Sequence, residues 1–444
     1  MAGNHPALSL SDATKNLTPD IPLTDGHPWY VDLATARGDI GRSLLKDEFL
    51  DKGDEFLFAI FASHRGVGKS TELLRLQHEL KAKYESIHLT ANSEFESEGF
   101  DAEDFQFILC RAVEEHMREV VKKPISQSVL QPVEDWFSEI TKSSSLGTEY
   151  VASVKAGFEA KAEIPFFGKL FASLSALIRS KSEHKTSVKS VVRKHPGALT
   201  SAANNLLDAA GEILQAQGRQ LLVVIDNMDR YKPAAMDAFL VGEPDTLKSL
   251  HANFLVTPPV ALIYRPITER LDDIYRTFIL PSPKLRSRND PYSTVGAPGL
   301  EPLLDVLRKR MDLNRLIPDP TAQQRLVLAS GGTVRELIDL TRLATLVAKG
   351  KNAIELDHVK YVAIKKQSSL RDQIDMSGYW PAIGKLADLK RLIDDPNCND
   401  LLFYRLAFHY NGENWYDVHP LVAELPDFEV SLKKAQTERG KITT

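Results

Sequence analysis

Phe56-Leu57-Phe58-Ala59-Ile60-Phe61-Ala62 is a continuous apolar run, the pattern of a strand buried on both faces. It ends in the loop Ser63–Gly68, and from Lys69 to about Ala82 the period changes. Leu73, Leu76 and Leu80 now fall on one helical face, with Leu74 beside them. Ser86–Thr90, Gln220–Ile225 and Pro259–Tyr264 predict further strands. From about Asp101 to Arg219 the pattern is mainly helical. The exception is Ser143–Phe167, Ser/Gly-rich and then aromatic, which predicts a hairpin or loop inserted into the domain. Strands separated by long helical stretches imply a parallel α/β sheet.

The flanks differ. Residues 1–27 are polar and rich in Pro, Asp and Thr, which predicts a mobile arm, and Trp29 to about Asp51 reads as a lead-in helical region. After Pro298 the chain is helical again: Leu303, Val306, Leu307 and Met311 make one apolar stripe, and Val334–Ala348 makes a second helix behind Gly331-Gly332. A third region starts near Asp357. It closes with Leu401–Ala407, Asn411-Gly412 and Trp415–Val422, and Asn-Gly between two strand-like runs signals a hairpin.

A length of 444 residues implies about three domains. With 43% hydrophobic and 26% charged residues the composition is that of a globular protein, and a net charge of −5 confines any nucleic-acid footprint to local patches. Two distant cysteines, Cys110 and Cys398, without metal-like spacing fit a reducing cytoplasm. No apolar run has the length of a membrane span, and Met1–Asp20 lacks the pattern of a signal peptide.

Chemistry concentrates in four stretches. Ser63-His64-Arg65-Gly66-Val67-Gly68-Lys69-Ser70-Thr71 resembles a Walker A loop, set between a buried strand and an amphipathic helix as that motif requires. Its glycines let backbone N–H groups turn toward phosphates, and the helix adds its N-terminal dipole. Lys69 would reach the β- and γ-phosphates and Ser70 would ligate Mg²⁺. Ser63 stands where the pattern has its first glycine. Leu221–Asp226 resembles a Walker B strand, with Asp226 at its end as a second Mg²⁺ residue and Asn227 where many relatives carry a glutamate. Asp229 reads either as the group that polarises the attacking water or as a helix N-cap. Arg265, in Val260-Ala261-Leu262-Ile263-Tyr264-Arg265-Pro266, reads as a strand-end residue that senses the γ-phosphate or as a surface arginine. Arg335, in Ser330-Gly331-Gly332-Thr333-Val334-Arg335-Glu336-Leu337, reads as a lid residue reaching back to the nucleotide or as a capping or salt-bridging group.

Taken in order, these stretches resemble bacterial AAA+/STAND-like P-loop ATPases, of the origin-recognition-like kind with a helical lid. The resemblance implies a flexible arm (1–28), a P-loop ATPase domain (29–298) with a helical insertion at about 101–219, a helical lid (299–356) and a winged-helix-like α+β domain (357–444). It implies ATP and Mg²⁺ as cofactors and a regulatory switch whose nucleotide state controls a protein partner or self-association. Two alternatives stay open: an ATP-controlled DNA-binding protein, initiator-like or defence-related, and a nucleotide-binding scaffold that does not hydrolyse. Lys181, Lys185, Lys189 and Arg193 form a basic helical stripe that could meet nucleic acid or simply face solvent. Phe166, Phe167, Phe171 and Leu174 predict an apolar face packed on the core. Arg308 and Arg310 are among several arginines that could serve a neighbouring subunit as a finger.

Overall fold

A computed structural model describes residues 5–38, 41–95, 100–143, 192, 197–242, 244–264, 271, 273–286, 297–392, 395–410 and 415–442. The basic stripe at 181–193, the aromatic face at 166–174, most of the stretch 143–167, Arg265 and the turn 411–414 lie outside the described residues.

Five parallel strands form the central sheet in the order β2-β3-β4-β1-β5. They are β1 (Phe58–Ser63), β2 (Tyr84–Thr90), β3 (Gln220–Asp226), β4 (Asn253–Val256) and β5 (Arg276–Leu280). Period-2 alternation sorts their side chains between two cores. Ile60, Ala62, Val223, Ile225, Phe254 and Val256 enter the larger one. Ala59, Phe61, Leu222, Val224 and Leu255 enter a second, closed by Leu45 and Phe49 of the helix Gly41–Asp51 and by Leu73, Leu76 and Leu80. Both faces being covered explains why β1 and β3 read as unbroken apolar runs.

Register fixes the working edge. Ile60 pairs with Val256, Ile225 with Val256, and Thr90 with Asp226. The C-terminal ends of β1, β3 and β4 therefore open onto one rim, with β4 lying between the other two.

Two strand expectations need correction. Pro259–Tyr264 is not a strand: the strand lies upstream at Asn253–Val256, and Val260–Ile263 is a short helix. Pro258 and Pro259 have no N–H for a ladder, and four buried apolar residues fit a helical turn as well as a strand. At the C-terminus, Leu401–Phe403 belongs to a helix, and the antiparallel pair is β6 (Ala407–Tyr410) with β7 (Trp415–Val418). Strand β5 had no counterpart in the sequence reading.

Residues 5–28, expected as a flexible arm, are packed. Helix α1 (Leu10–Asn16) is capped by Ser9, whose hydroxyl accepts from the Asp12 N–H. It buries Leu10 and Ala13, and Leu17 follows them into the core. The arm grips the lid: the Ala7 N–H donates to the Arg310 carbonyl (3.0 Å), Asp312 N–H to the Ala7 carbonyl (2.9 Å), and the Thr14 and Thr345 hydroxyls lie 2.9 Å apart. Leu23 N–H then donates to Thr71 Oγ1 (3.0 Å) at the start of α2 (Lys69–Leu80).

The lid region holds α3 (Leu300–Arg308), α4 (Pro320–Ala329) and α5 (Val334–Val347). The last region combines α6 (Leu356–Ser377), α7 (Trp380–Leu389), α8 (Pro396–Phe403), the β6–β7 pair and α9 (Pro426–Ile442). Among the described residues no helix is long and apolar enough to cross a membrane.

Leu17→Ala distinguishes a packed arm from a loose one. Leu17 is fully buried, so its truncation is expected to cost about 3 kcal/mol in urea unfolding. A change near zero would mean that the segment does not pack in solution.

Candidate phosphate-binding site

Ser63 ends β1, pairing with Leu280 of β5. It is strand backbone without positive φ, so the usual first glycine is not needed there. The turn itself needs one at Gly66. That residue has φ +87°, and a Cβ there would stand 2.9 Å from the Arg335 Cβ. Gly68 continues the left-handed path at φ +104° and hands over to α2 at Lys69. Backbone N–H groups and a helix N-terminus thus converge on one concave surface.

Lys69 is buried with its ammonium 2.8 Å from Asp229 Oδ2 and 3.4 Å from the Thr257 carbonyl. Asp226 lies at the end of β3, 2% exposed. Burial pushes its pKa up, but the Lys69 charge, the Ser70 hydroxyl and the Asn227 N–H outweigh that and hold the carboxyl below its ordinary range. The hydroxyl of Ser70 beside a carboxylate kept ionised is a fitting oxygen pair for Mg²⁺, which takes one or two protein ligands and the rest from phosphates and water.

Asn227 does more than fill a glutamate's place. It sits in the left-handed region (φ +63°), a conformation asparagine tolerates. The chain then makes one 3-10 turn, Met228–Arg230, that swings Asp229 round to Lys69. The two acids of the Asp-x-x-Asp spacing are thereby divided: Asp226 faces Ser70 and Asp229 faces Lys69. Asp229 caps no α-helix; it is the lysine's counter-ion.

The strand correction also changes which residue is found at a strand end on this rim. Arg265 lies outside the described residues, and Val260–Ile263 before it is helical. The residue at the end of β4 is Thr257, whose N–H donates to the Ile225 carbonyl (3.1 Å) and whose Oγ1 donates to Asp226 Oδ1 (3.3 Å). A threonine after three apolar residues and before two prolines left no motif to find.

Three other parts of the chain hold the loop. The Arg335 N–H donates to the Gly66 carbonyl (2.9 Å), laying the first turn of α5 on the loop, while the Arg335 Nε pairs with Asp20 Oδ1 at 3.0 Å. Arg37, 3% exposed, donates from Nη2 to the Val67 carbonyl (2.7 Å) and pairs from Nη1 with Glu72 (3.5 Å). The His409 N–H, on β6, donates to His64 Nε2 (2.9 Å), and the Phe408 ring meets the His64 ring edge-on at 5.3 Å. Gly331, at φ +61°, explains part of the Ser-Gly-Gly stretch: a Cβ there would lie 2.5 Å from the Phe408 ring. Glu336 ties the same turn to Lys366 (2.6 Å) and Arg405 (3.4 Å).

The cavity at this rim has a volume of about 310 Å³. The loop from Gly66 to Thr71, Asp226, Asp229, Arg230 and Arg335 line one wall of it. Arg310 lines it too, 4% exposed, and so cannot reach a neighbouring subunit as a finger. Arg308 is half exposed and already paired with Glu301 and Asp305. Arg37 was not legible as a lining residue, and Arg310 was legible only as a candidate finger, because isolated arginines outside a motif carry no spacing signal.

Burial, and then the neighbouring His409, lower the His64 pKa to about 3 from 6.5. The unfolded chain therefore takes up a proton that the folded one refuses. Stability from this residue is complete above pH 6.5 and is lost as pH falls toward 3, by about 1.4 kcal/mol per pH unit. His64→Gln keeps an acceptor for the His409 N–H but does not titrate. Its stability is expected to fall less steeply from pH 6 to pH 4 (about 1 kcal/mol per unit less) in denaturant titrations, and equal slopes would exclude the effect.

No family model and no curated protein matches the chain. Among solved structures it is similar to the ORC2 protein of Aeropyrum pernix in its ADPNP-ADP complexes (13% identity over 94% of this chain and 99% of that one, TM-score 0.40). It is also similar to Cdc6p from Pyrobaculum aerophilum (12%, 98% and 100%, TM-score 0.39) and to the A. pernix ORC1 protein in complex with DNA (12%, 96% and 97%, TM-score 0.40). At these identities and scores the likeness says nothing about individual residues.

Proposed function

We propose that the protein binds ATP with Mg²⁺ at the Ser63–Thr71 loop, hydrolyses it, and uses the nucleotide state to alter the seating of the lid and the C-terminal region. The buried Lys69–Asp229 pair carries this reading. It holds the loop lysine in place while no phosphate is bound and stores a carboxylate beside the site. Phosphate oxygens compete with Asp229 for the lysine. Once displaced, Asp229 is free to orient water for attack on the γ-phosphate, the positioning task that phosphoryl transfer requires. Ser70 and Asp226 would hold Mg²⁺, which neutralises charge on the phosphates. Arg335 and Arg230, on the same wall, would meet the remaining negative charge.

Coupling follows from the loop's neighbours. Phosphate binding alters the loop that carries both the Gly66 carbonyl and the His64 ring, so the lid bond at Arg335 and the β6 bond at His409 respond together. A second reading makes DNA the partner. It is supported by the C-terminal unit itself, in which helices precede a two-stranded β6–β7 ribbon, the element order expected of a winged helix, and β6 bonds directly to the loop. Under that reading ATP sets the grip, and binding weakens steeply with salt.

Steady-state ATP hydrolysis decides the first reading. Lys69→Ala is expected to abolish turnover. Asp229→Asn is expected to lower turnover by about a hundredfold or more while leaving ATP affinity equal or tighter, since the lysine's competitor is gone. Wild-type protein that neither binds nor turns over ATP would sink the proposal. Duplex DNA that stimulates turnover at low salt would move the second reading ahead, and no DNA binding at low salt would remove it.

A further inference from the structure

A further cavity, of about 410 Å³, opens between α5 and α6. The helices run antiparallel: α5 ends at Val347, α6 begins at Leu356, and Glu336 in the first turn of α5 pairs with Lys366 in the middle of α6. The two ends of the cavity differ in chemistry. At the start of α5 stand Arg335, Lys366 and Arg405, whose side chains are 30%, 24% and 27% exposed and so within reach of a ligand, with the exposed Lys365 beside them. Roughly two turns further along α5 the wall is aliphatic, made by Leu340, Leu343 and Val362. Glu336 is buried and divides itself between two of the cations, Oε1 to Lys366 (2.6 Å) and Oε2 to Arg405 (3.4 Å). That engages a single donor of each, and an ammonium and a guanidinium have several. The exposed Asp20 takes Arg335 Nε (3.0 Å), and Asp339 is the third acid of the lining. Four cations thus face three acids, and more positive charge lies close by. Burial lowers the Arg65 pKa; Asp229, already paired with Lys69, opposes this, and the charges of Arg405, Arg230 and Arg335 add to it. Among the described residues Arg65 and Arg230 have no carboxylate at ion-pair distance. A cleft with such a surplus of one sign collects counter-ions.

We propose that this groove between α5 and α6 binds an organic phosphate, its phosphate group on Lys365, Lys366 and Arg405 and its apolar body against Leu340, Leu343 and Val362. Two features select that class. A phosphate monoester presents three strong acceptor oxygens and close to two negative charges, which suits donors arriving from three separate side chains better than the two oxygens of one carboxylate. The aliphatic end offers nothing to inorganic phosphate, whereas hydrocarbon placed there leaves water. The site is separate from the Ser63–Thr71 loop and does not depend on what that loop binds.

Isothermal titration of hexyl phosphate and of inorganic phosphate into the wild type, Lys69→Ala, Lys365→Gln, Arg405→Gln and Leu343→Asp tests this, with ATP titrated alongside. Hexyl phosphate is expected to bind about tenfold tighter than inorganic phosphate, or more. Arg405→Gln should weaken it about tenfold by removing charged donors. Leu343→Asp should weaken it by a similar factor, because it sets a carboxylate on the apolar end, and Lys365→Gln should weaken it less. Lys69→Ala, in the other cavity, should leave it within about twofold. Leu343 and Lys365 are both exposed, so their variants decide the matter even if Arg405→Gln does not fold. Hexyl phosphate that binds no tighter than inorganic phosphate, or does not bind, would overturn the proposal. So would an affinity that neither Leu343→Asp nor Lys365→Gln moves. Binding that Lys69→Ala removes and Leu343→Asp leaves alone puts the ligand on the phosphate loop: this site then falls and the loop's reading survives. If ATP does not bind while hexyl phosphate behaves as expected, the nucleotide reading falls and this site stands.

Discussion

The Lys69 ammonium and the Asp229 carboxylate lie 2.8 Å apart, each side chain less than a tenth exposed. Either charge alone in that place would be costly, so each holds the other where it is. The consequence spreads across the sheet. Lys69 begins the helix after β1, Asp229 sits one turn beyond β3, and the end of β4 lies between them. There Thr257 joins the lysine to the other acid of the rim, its carbonyl facing Lys69 and its hydroxyl facing Asp226. Under the proposed function, phosphate oxygens in place of Asp229 would exchange one counter-ion for another, so the lysine would be paired in either state. A site arranged in this way can be buried before its ligand arrives.

Around that pair, the loop is held by parts of the chain that are far apart in sequence. Arg37 takes the Val67 carbonyl, Arg335 the Gly66 carbonyl, and β6 the His64 ring. Three residues of one short loop thus answer to the N-terminal segment, the lid and the C-terminal region. The bonds are short and buried, so a shift of the loop by a fraction of an ångström is felt by all three. Local anion chemistry can thereby become a change in how regions sit on one another.

What could be read in advance follows from what leaves a periodic or compositional trace. The run Phe56–Ala62 and the run Leu221–Ile225 are apolar because both sheet faces are covered, and both are strands. The Ser63–Thr71 stretch could be placed because glycine, lysine and hydroxyl occur at a fixed spacing. Val260–Ile263 was misread because a four-residue apolar run has no period of its own, and the two prolines before it were the better guide. The N-terminal segment was misread because its composition is that of a loop. Its order comes from a few contacts, Ala7 with Arg310 and Asp312 and Thr14 with Thr345, whose partners are hundreds of residues away. Trp29 and Arg310 meet across a similar separation, and no spacing rule connects them.

That N-terminal segment has a mechanical consequence. It is fastened to the lid at Ala7 and to the start of α2 at Leu23. Between the two fastenings, α1 is a rigid rod resting on the lid's own helix through Thr14 and Thr345. Only the stretch from Leu17 to Leu23 can extend, once the exposed Asp20–Arg335 pair lets go, and six peptide steps reach about 20 Å at full stretch. Under the proposed switch the segment would act as a tether of fixed contour length between the lid and the start of α2. It sets an upper bound on how far the lid can travel while both fastenings hold, and a larger excursion must first release one end.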